Sequence, residues 1–213
     1  CSAAPGRVYE LDPATGTIIT DFQPIPGEDQ TVYGLTADST GLYIGSFHQQ
    51  KVSKRTLGGP NDLNLEWHIQ SATYGIFADG AGSFWTAYGG ILKQLSALDG
   101  SVLDSYTVTQ GIHGVQVALN GLVYVASGNG DQILEYDPAT GTGTWLDLGP
   151  GDLHPRGLTV DANNDVFAIN KDSSTLTKLP AGGGAPITFG GVSGGPSILN
   201  SPYGYNGDMT GVT

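Results

Sequence analysis

Apolar and polar side chains alternate along this chain in short runs, each broken by glycine, proline or an aspartate-led turn. Alternation with period two marks a half-buried β-strand. The runs also repeat. Tyr33-Gly34-Leu35-Thr36-Ala37-Asp38, Tyr74-Gly75-Ile76-Phe77-Ala78-Asp79, His113-Gly114-Val115-Gln116-Val117-Ala118 and Arg156-Gly157-Leu158-Thr159-Val160-Asp161 can be superimposed, with glycines recurring every 39 to 43 residues. After each comes a turn and an apolar strand with an aromatic near its centre: Leu42-Tyr43-Ile44, Phe84-Trp85-Thr86, Val123-Tyr124-Val125 and Val166-Phe167-Ala168. A third strand and a polar hairpin follow, as where Ile133-Leu134-Glu135-Tyr136 runs into Asp137-Pro138-Ala139-Thr140-Gly141, or Leu95 leads to Leu98-Asp99-Gly100. These are hairpin signals with a mechanism: Pro presets φ, Gly accepts positive φ, and Asp bonds its own backbone. Leu65-Glu66-Trp67-His68-Ile69 and Thr144-Trp145-Leu146 read as fourth strands.

Four strands in about 41 residues make one blade of a β-propeller. The N-terminus begins partway through such a unit. Arg7-Val8-Tyr9-Glu10-Leu11-Asp12-Pro13-Ala14-Thr15-Gly16 reproduces the third strand and hairpin of the Ile133 unit, and Ile18-Ile19-Thr20-Asp21-Phe22 is its fourth strand. The expected fold is all-β: a single β-propeller domain over residues 1–213, with about five four-stranded blades, one of them split between N- and C-terminal segments. Residues 1–6 form a tail and 7–31 the second half of the split blade. Full blades cover 32–70, 73–110, 112–151 and 154–189, and 190–213 is an irregular closing segment. That segment, interrupted by Gly190-Gly191 and Gly194-Gly195-Pro196, either closes the ring in its own chain or pairs with a neighbouring one, because an open blade leaves sheet edges unpaired.

Composition narrows the function classes. The 34 glycines and 12 prolines suit many tight turns, and 38% apolar content with 13% charged residues argues against disorder. A net charge of −12, with eight lysines and arginines in all, excludes nucleic acid as a natural partner and disfavours anionic membrane surfaces. No apolar run approaches the roughly 18 residues of a spanning helix. An acidic, lysine-poor, Ser/Thr/Gly-rich chain points to a secreted or cell-surface protein. Cys1 is the only cysteine, so no intrachain disulfide forms. Cys1-Ser2-Ala3-Ala4 looks like the start of a mature bacterial lipoprotein, acylated on that cysteine; the alternative is an arbitrary starting point within a longer chain.

The unit Gly157-Leu158-Thr159-Val160-Asp161, Asp165-Val166-Phe167-Ala168 and Leu176-Thr177-Lys178-Leu179, approached through His154-Pro155-Arg156, resembles the repeat of NHL-type and virginiamycin B lyase-like (streptogramin lyase-like) propellers, over roughly residues 7 to 180. The resemblance implies a propeller scaffold, which hosts unrelated functions. The family's lyases have seven blades, Trp-Phe-Thr-Glu-like second strands, and His and Glu acting with a divalent metal at one face. Here Phe84-Trp85-Thr86 ends in Ala87 where the acid would stand, and the chain is too short for seven blades.

Candidate chemistry follows from the repeat. The residue before each repeat glycine falls on one ring, so Tyr33, Tyr74, His113 and Arg156, joined by Tyr203, converge on a site suited to a sugar, an aromatic group or a small acid. Packing of a channel mouth is the alternative role for the same set. His113 and His154 are the candidate catalytic bases, His113 paired with an acid from another blade; His48 and His68 lie apart from them. Asp161, Asn163, Asp165 and Asp172 have the oxygen spacing of a calcium loop, although Val166 stands where such a loop needs Gly. Tyr43, Trp85, Tyr124 and Phe167 read as inter-blade packing. No nucleophile elbow, Walker loop, dinucleotide fingerprint or zinc spacing is present, so no cofactor is called for beyond the divalent metal the resemblance implies.

The function expected is that of an extracellular or cell-surface binding or structural module, more a non-enzyme than an enzyme, meeting a protein, glycan or small-molecule ligand. Two alternatives stand: a metal-dependent lyase or hydrolase of the streptogramin lyase-like type, and a self-assembling surface or filament subunit completed by strand exchange.

Overall fold

The computed structural model describes residues 6–58, 62–152 and 154–190, and within them the alternating runs fold into sixteen β-strands and no helix. β1 (Val8–Leu11) and β2 (Ile18–Phe22) form a two-stranded hairpin. The first full blade is β3 (Val32–Asp38), β4 (Gly41–Ser46), β5 (Lys51–Arg55) and β6 (Leu65–Gln70), paired in that order and antiparallel. The last is β13 (Pro155–Val160), β14 (Val166–Asn170), β15 (Thr175–Leu179) and β16 (Ile187–Phe189).

The two middle blades merge into one ladder, ordered β12-β11-β10-β9-β8-β7. It comprises β7 (Gly75–Ala78), β8 (Ser83–Ser96), β9 (Val102–Val117), β10 (Val123–Ser127), β11 (Gln132–Asp137) and β12 (Thr142–Asp147). The second and third strands expected for blade two share β8. The chain doubles back near Gly89 (φ 61°), so that Ala97 N–H donates to Gly82 O at 3.0 Å and Gln94 to Ser83 Oγ at 2.7 Å. β9 is continuous for a different reason. Its first half is the outer strand of blade two, opposite Ile91–Leu95, and its second half is the first strand of blade three, opposite Val123–Ser127. Gly89 pairs with Ile112 and bridges the two halves.

The hairpin matched to its twin by sequence is its twin in structure. Ala14 N–H donates to Asp12 Oδ1 at 2.8 Å, and Ala139 N–H to Asp137 Oδ1 at 2.9 Å; Gly16 and Gly141 close the turns at φ 70° and 69°. Their surroundings differ. Leu134 and Tyr136 of β11 are buried beneath β10 and the preceding blade, whereas the equivalent Tyr9 and Leu11 are 52% and 51% exposed. The expected closing strands, with Cys1 and Tyr203, lie outside the described residues apart from Gly190.

The core sits between blades. One cluster joins Tyr43 and Val52 of blade one to Ile76, Phe84 and Leu95 of blade two. A second joins Trp85 and Leu92 to Val115, Val123 and Tyr136, and a third joins Tyr124 and Ile133 to Leu158, Val166 and Ala168. Each second-strand aromatic of the first three full blades therefore packs toward the next blade. Phe167 lies beneath the Lys178 ammonium, 5.5 Å from its ring centre.

The repeat glycines hold the hub, where successive first strands meet backbone to backbone. A Cβ on Gly75 would overlap the His113 carbonyl oxygen and stand 2.9 Å from Gly114 Cα; one on Gly114 would stand 2.6 Å from the Arg156 carbonyl oxygen and 3.2 Å from Gly157 Cα. Only a residue without Cβ allows that approach.

Candidate functional site

The residue before each repeat glycine is aimed by a defect in strand pairing. In β3 and β13, Val32 and Gly34 pair with adjacent residues Ser46 and Gly45, and Pro155 and Gly157 with Asn170 and Ile169, which leaves Tyr33 and Arg156 as the extra residues. In β9 the pair His113-Gly114 stands opposite the single residue Ala126. These are β-bulges, which turn a side chain out of the regular alternation. Tyr74, just ahead of β7, is pinned by its N–H to Ala87 O at 2.9 Å.

The four side chains meet in blade order. The rings of Tyr33 and Tyr74 lie 5.3 Å apart edge to face, and those of Tyr74 and His113 lie 4.3 Å apart. The Arg156 guanidinium reaches back to the imidazole, with Nη1 2.9 Å from Nδ1 and 2.5 Å from Nε2, and its Cζ sits 6.0 Å from the Tyr74 ring centre. Phe47 and Tyr88, which directly follow the second strands of blades one and two, complete the aromatic wall: Phe47 is 4.9 Å from Tyr33, 5.4 Å from Tyr74 and 5.3 Å from Tyr88. Sequence reasoning missed both. The signal was the residue directly after each second strand, but that position reads Phe47, Tyr88, Gly128 and Lys171 and so shows no repeat. Gly128 is nevertheless informative, because a Cβ there would fall on the His113 ring.

His113 is neutral at physiological pH. Burial is the main cause, followed by the electrostatic influence of Arg156, His154 and Lys171, and together they push its pKa down to about 4. Arg156 donates to the ring nitrogen that carries no proton. This predicts an acid-sensitive fold. An unfolded His titrates near 6.5, so between about pH 6.5 and 4 the unfolded chain binds a proton that the folded chain refuses; stability therefore falls as pH falls through that window. The expected loss is about 2 kcal/mol on going from pH 7 to 4.5, and His113→Gln should remove that part of the pH dependence. Urea unfolding of both proteins at the two pH values checks this; equal pH slopes would refute it.

His154 stands at the same end of the hub with φ 55°, its Nδ1 in a short contact with Asp172 Oδ2 and its N–H donating to Asp131 Oδ1 at 3.2 Å. That contact is the main cause holding the Asp172 carboxyl below the usual carboxylate range. It also corrects the calcium reading. Asp161 caps its own turn through Asn163 and Asp165 N–H, both at 2.9 Å, and Asp165 pairs with Lys178 at 2.5 Å. Asp172 lies beyond the far end of β14, five residues at about 3.3 Å each, so the four oxygens do not share a site. Among the described residues no group of three His, Cys, Asp or Glu could hold a metal ion. His48 touches the aromatic wall from outside, 5.0 Å from Phe47, while His68 is on β6, away from the hub.

A cavity of about 600 Å³ opens at the opposite end, lined by Asp38, Phe77, Asp79, Trp85, Gln94 and Leu119 among others, which sequence reasoning did not find. Its carboxylates serve turns: Asp38 Oδ1 accepts from Thr40 and Gly41 N–H at 2.7 and 3.2 Å, and Asp79 Oδ1 from Ala81 and Ser83 N–H at 2.8 and 3.2 Å.

No protein-family model and no curated protein matches the sequence. Solved structures do share the fold. A streptogramin B lyase structure superposes with a TM-score of 0.65 at 18% identity, covering 78% of this chain and 56% of that one. A catalytically inactive virginiamycin B lyase from Staphylococcus aureus, solved with quinupristin, gives 0.67 at 17% identity, covering 83% and 60%. The WD40 repeats of RRP9 give 0.72 at 9% identity, covering 84% and 56%. The chain thus spans little more than half the length of these propellers, and at such identities the likeness concerns the scaffold.

Proposed function

We propose that this propeller is a binding module whose ligand, a small molecule or terminal group with a ring-shaped body, docks at the hub between Tyr33, Tyr74, His113 and Arg156. One observation carries the reading. Successive full blades each deliver one side chain to the same place, three of them through bulges, and the result mixes aromatic faces with one guanidinium and a neutral imidazole. Aromatic faces with few, well-placed polar groups are what small-ligand sites are built from. Bulges disrupt the ladder and re-aim a side chain, and they are over-represented next to active sites, which supports a role for this recurring position beyond regular pairing. The acidic, lysine-poor composition supports an extracellular setting for such a module.

The test is ligand-observed NMR with methyl glycosides, phenols and small ring acids. At least one class should show saturation transfer from the protein, and Tyr74→Ala should weaken its binding about tenfold or more while leaving the far-ultraviolet spectrum unchanged. Absence of transfer from every class, or full binding by Tyr74→Ala, would refute the hub as a ligand site.

A further inference from the structure

We infer that the hub selects an anion: the ligand carries a carboxylate on its ring, received by Arg156. This rests on the hub being the binding site. The chain has a net charge of −12 and eight lysines and arginines, so where its few cations are spent is informative. Of the three arginines, Arg7 pairs with Asp21, and Arg55 gives its donors to the carbonyl oxygens of Gln23, Pro24 and Leu63. Lys51, Lys54 and Lys178 pair with Glu28, Glu66 and Asp165. Arg156 differs. Among the described residues its guanidinium meets no carboxylate and no carbonyl, bonds only the uncharged His113 through Nη1, and leaves Nε buried without a hydrogen-bond partner.

A half-buried guanidinium without a counter-ion is costly, and its planar fork matches a carboxylate in two parallel bonds. Its surroundings favour that guest. Lys171 stands close enough to bear on the His113 charge, and it adds positive potential at this end of the hub. The nearby acid, Asp172, feels Arg156 but is already engaged by His154 and lies 3.7 Å from Lys171 Nζ. Tyr74 sits beside both the guanidinium and the imidazole, so a ring attached to the carboxylate would extend along Tyr74 toward Tyr33 and Phe47. His113 acts as a positioning residue. It accepts from Nη1 without a competing charge and is itself held against Gly128.

The experiment titrates benzoate and glucuronate against their uncharged counterparts, benzamide and methyl glucoside, by the same NMR readout; the two acids separate an aromatic from a sugar source. At least one carboxylate should bind tenfold or more tighter than its neutral partner and weaken as salt is raised. Arg156→Gln should bring it down to the neutral level, Arg156→Lys should restore part of the gap, and Lys171→Gln should cost two- to fivefold while leaving the direct contacts in place. If neutral and charged rings bind equally and Arg156→Gln changes nothing, anion selection is wrong, although Tyr74→Ala would still abolish binding and the hub would stand. If no ring binds at all, the hub reading falls and takes this one with it.

Discussion

Alanine at Gly75 is expected to destabilise the propeller by more than about 3 kcal/mol. The added Cβ would overlap the carbonyl oxygen of His113 and lie 2.8 Å from Val115 N and 2.9 Å from Gly114 Cα. Every one of these is a backbone atom. Val115 is locked in register with Val125, so the neighbouring strand cannot retreat as a flexible side chain would. A second glycine separates this cause from the generic cost of replacing glycine. Gly80 has φ 70° and nothing within 4 Å of a built Cβ, so Gly80→Ala carries only left-handed strain, about 1–2 kcal/mol. Urea unfolding of both variants measures the difference. Equal midpoints would mean that the first strands are not in backbone contact at the hub.

Trp85→Ala ranks next, at about 3–5 kcal/mol. The indole is 2% exposed and packs with Leu92, Val115, Val123, Leu134 and Tyr136, its ring 5.9 Å from that of Tyr136. Its removal leaves a cavity between blades two and three, walled by strands whose mutual pairing prevents collapse. Trp85→Phe should recover more than half of the loss, whereas Tyr9→Ala, at a half-exposed site on the N-terminal hairpin, should cost under about 1 kcal/mol. Thermal melts of the three variants provide the check; a Trp85→Ala protein within about 1 kcal/mol of the parent would overturn the inter-blade assignment.

Both effects concern residues that the repeat had marked, and the reason is general. A propeller buries each blade against its neighbours through the same positions, so selection for packing writes itself as periodicity. Gly75 and Gly114 recur because a Cβ fits at neither, and Tyr43, Trp85 and Tyr124 recur because each fills an equivalent inter-blade gap. The hub residues were legible by the same logic of equivalent positions. Phe47 and Tyr88 were not, since the residue after the second strand is filled differently in every blade: by rings beside Tyr33 and Tyr74, by Gly128 to make room for His113, and by Lys171 near Arg156. Positions filled differently in every blade carry no periodicity and so escape a reading that rests on the repeat.

One misreading has a plain structural cause. The spacing of Asp161, Asn163, Asp165 and Asp172 counts residues along the chain, but β14 carries the last of them to the other end of the blade, where it meets His154. In the middle blades the expected strands are present, but the second and third of blade two form a hairpin within β8, and the outer strand of blade two runs on into the first strand of blade three as β9. Neither distance nor pairing across strands is encoded by linear spacing.

Strand alternation, the spacing of the repeat glycines, the twin hairpins at Asp12 and Asp137, and the set Tyr33, Tyr74, His113 and Arg156 were thus determined by the sequence itself, because each reflects local propensity or a rule repeated in every blade. Pairing register was left to the tertiary structure. It made Tyr33 and Arg156 the extra residues of their ladders, brought the Arg156 guanidinium onto an uncharged His113, and gave that guanidinium no carboxylate among the described residues. Those outcomes depend on which atoms of distant segments come within a few ångströms, and only the folded chain decides that.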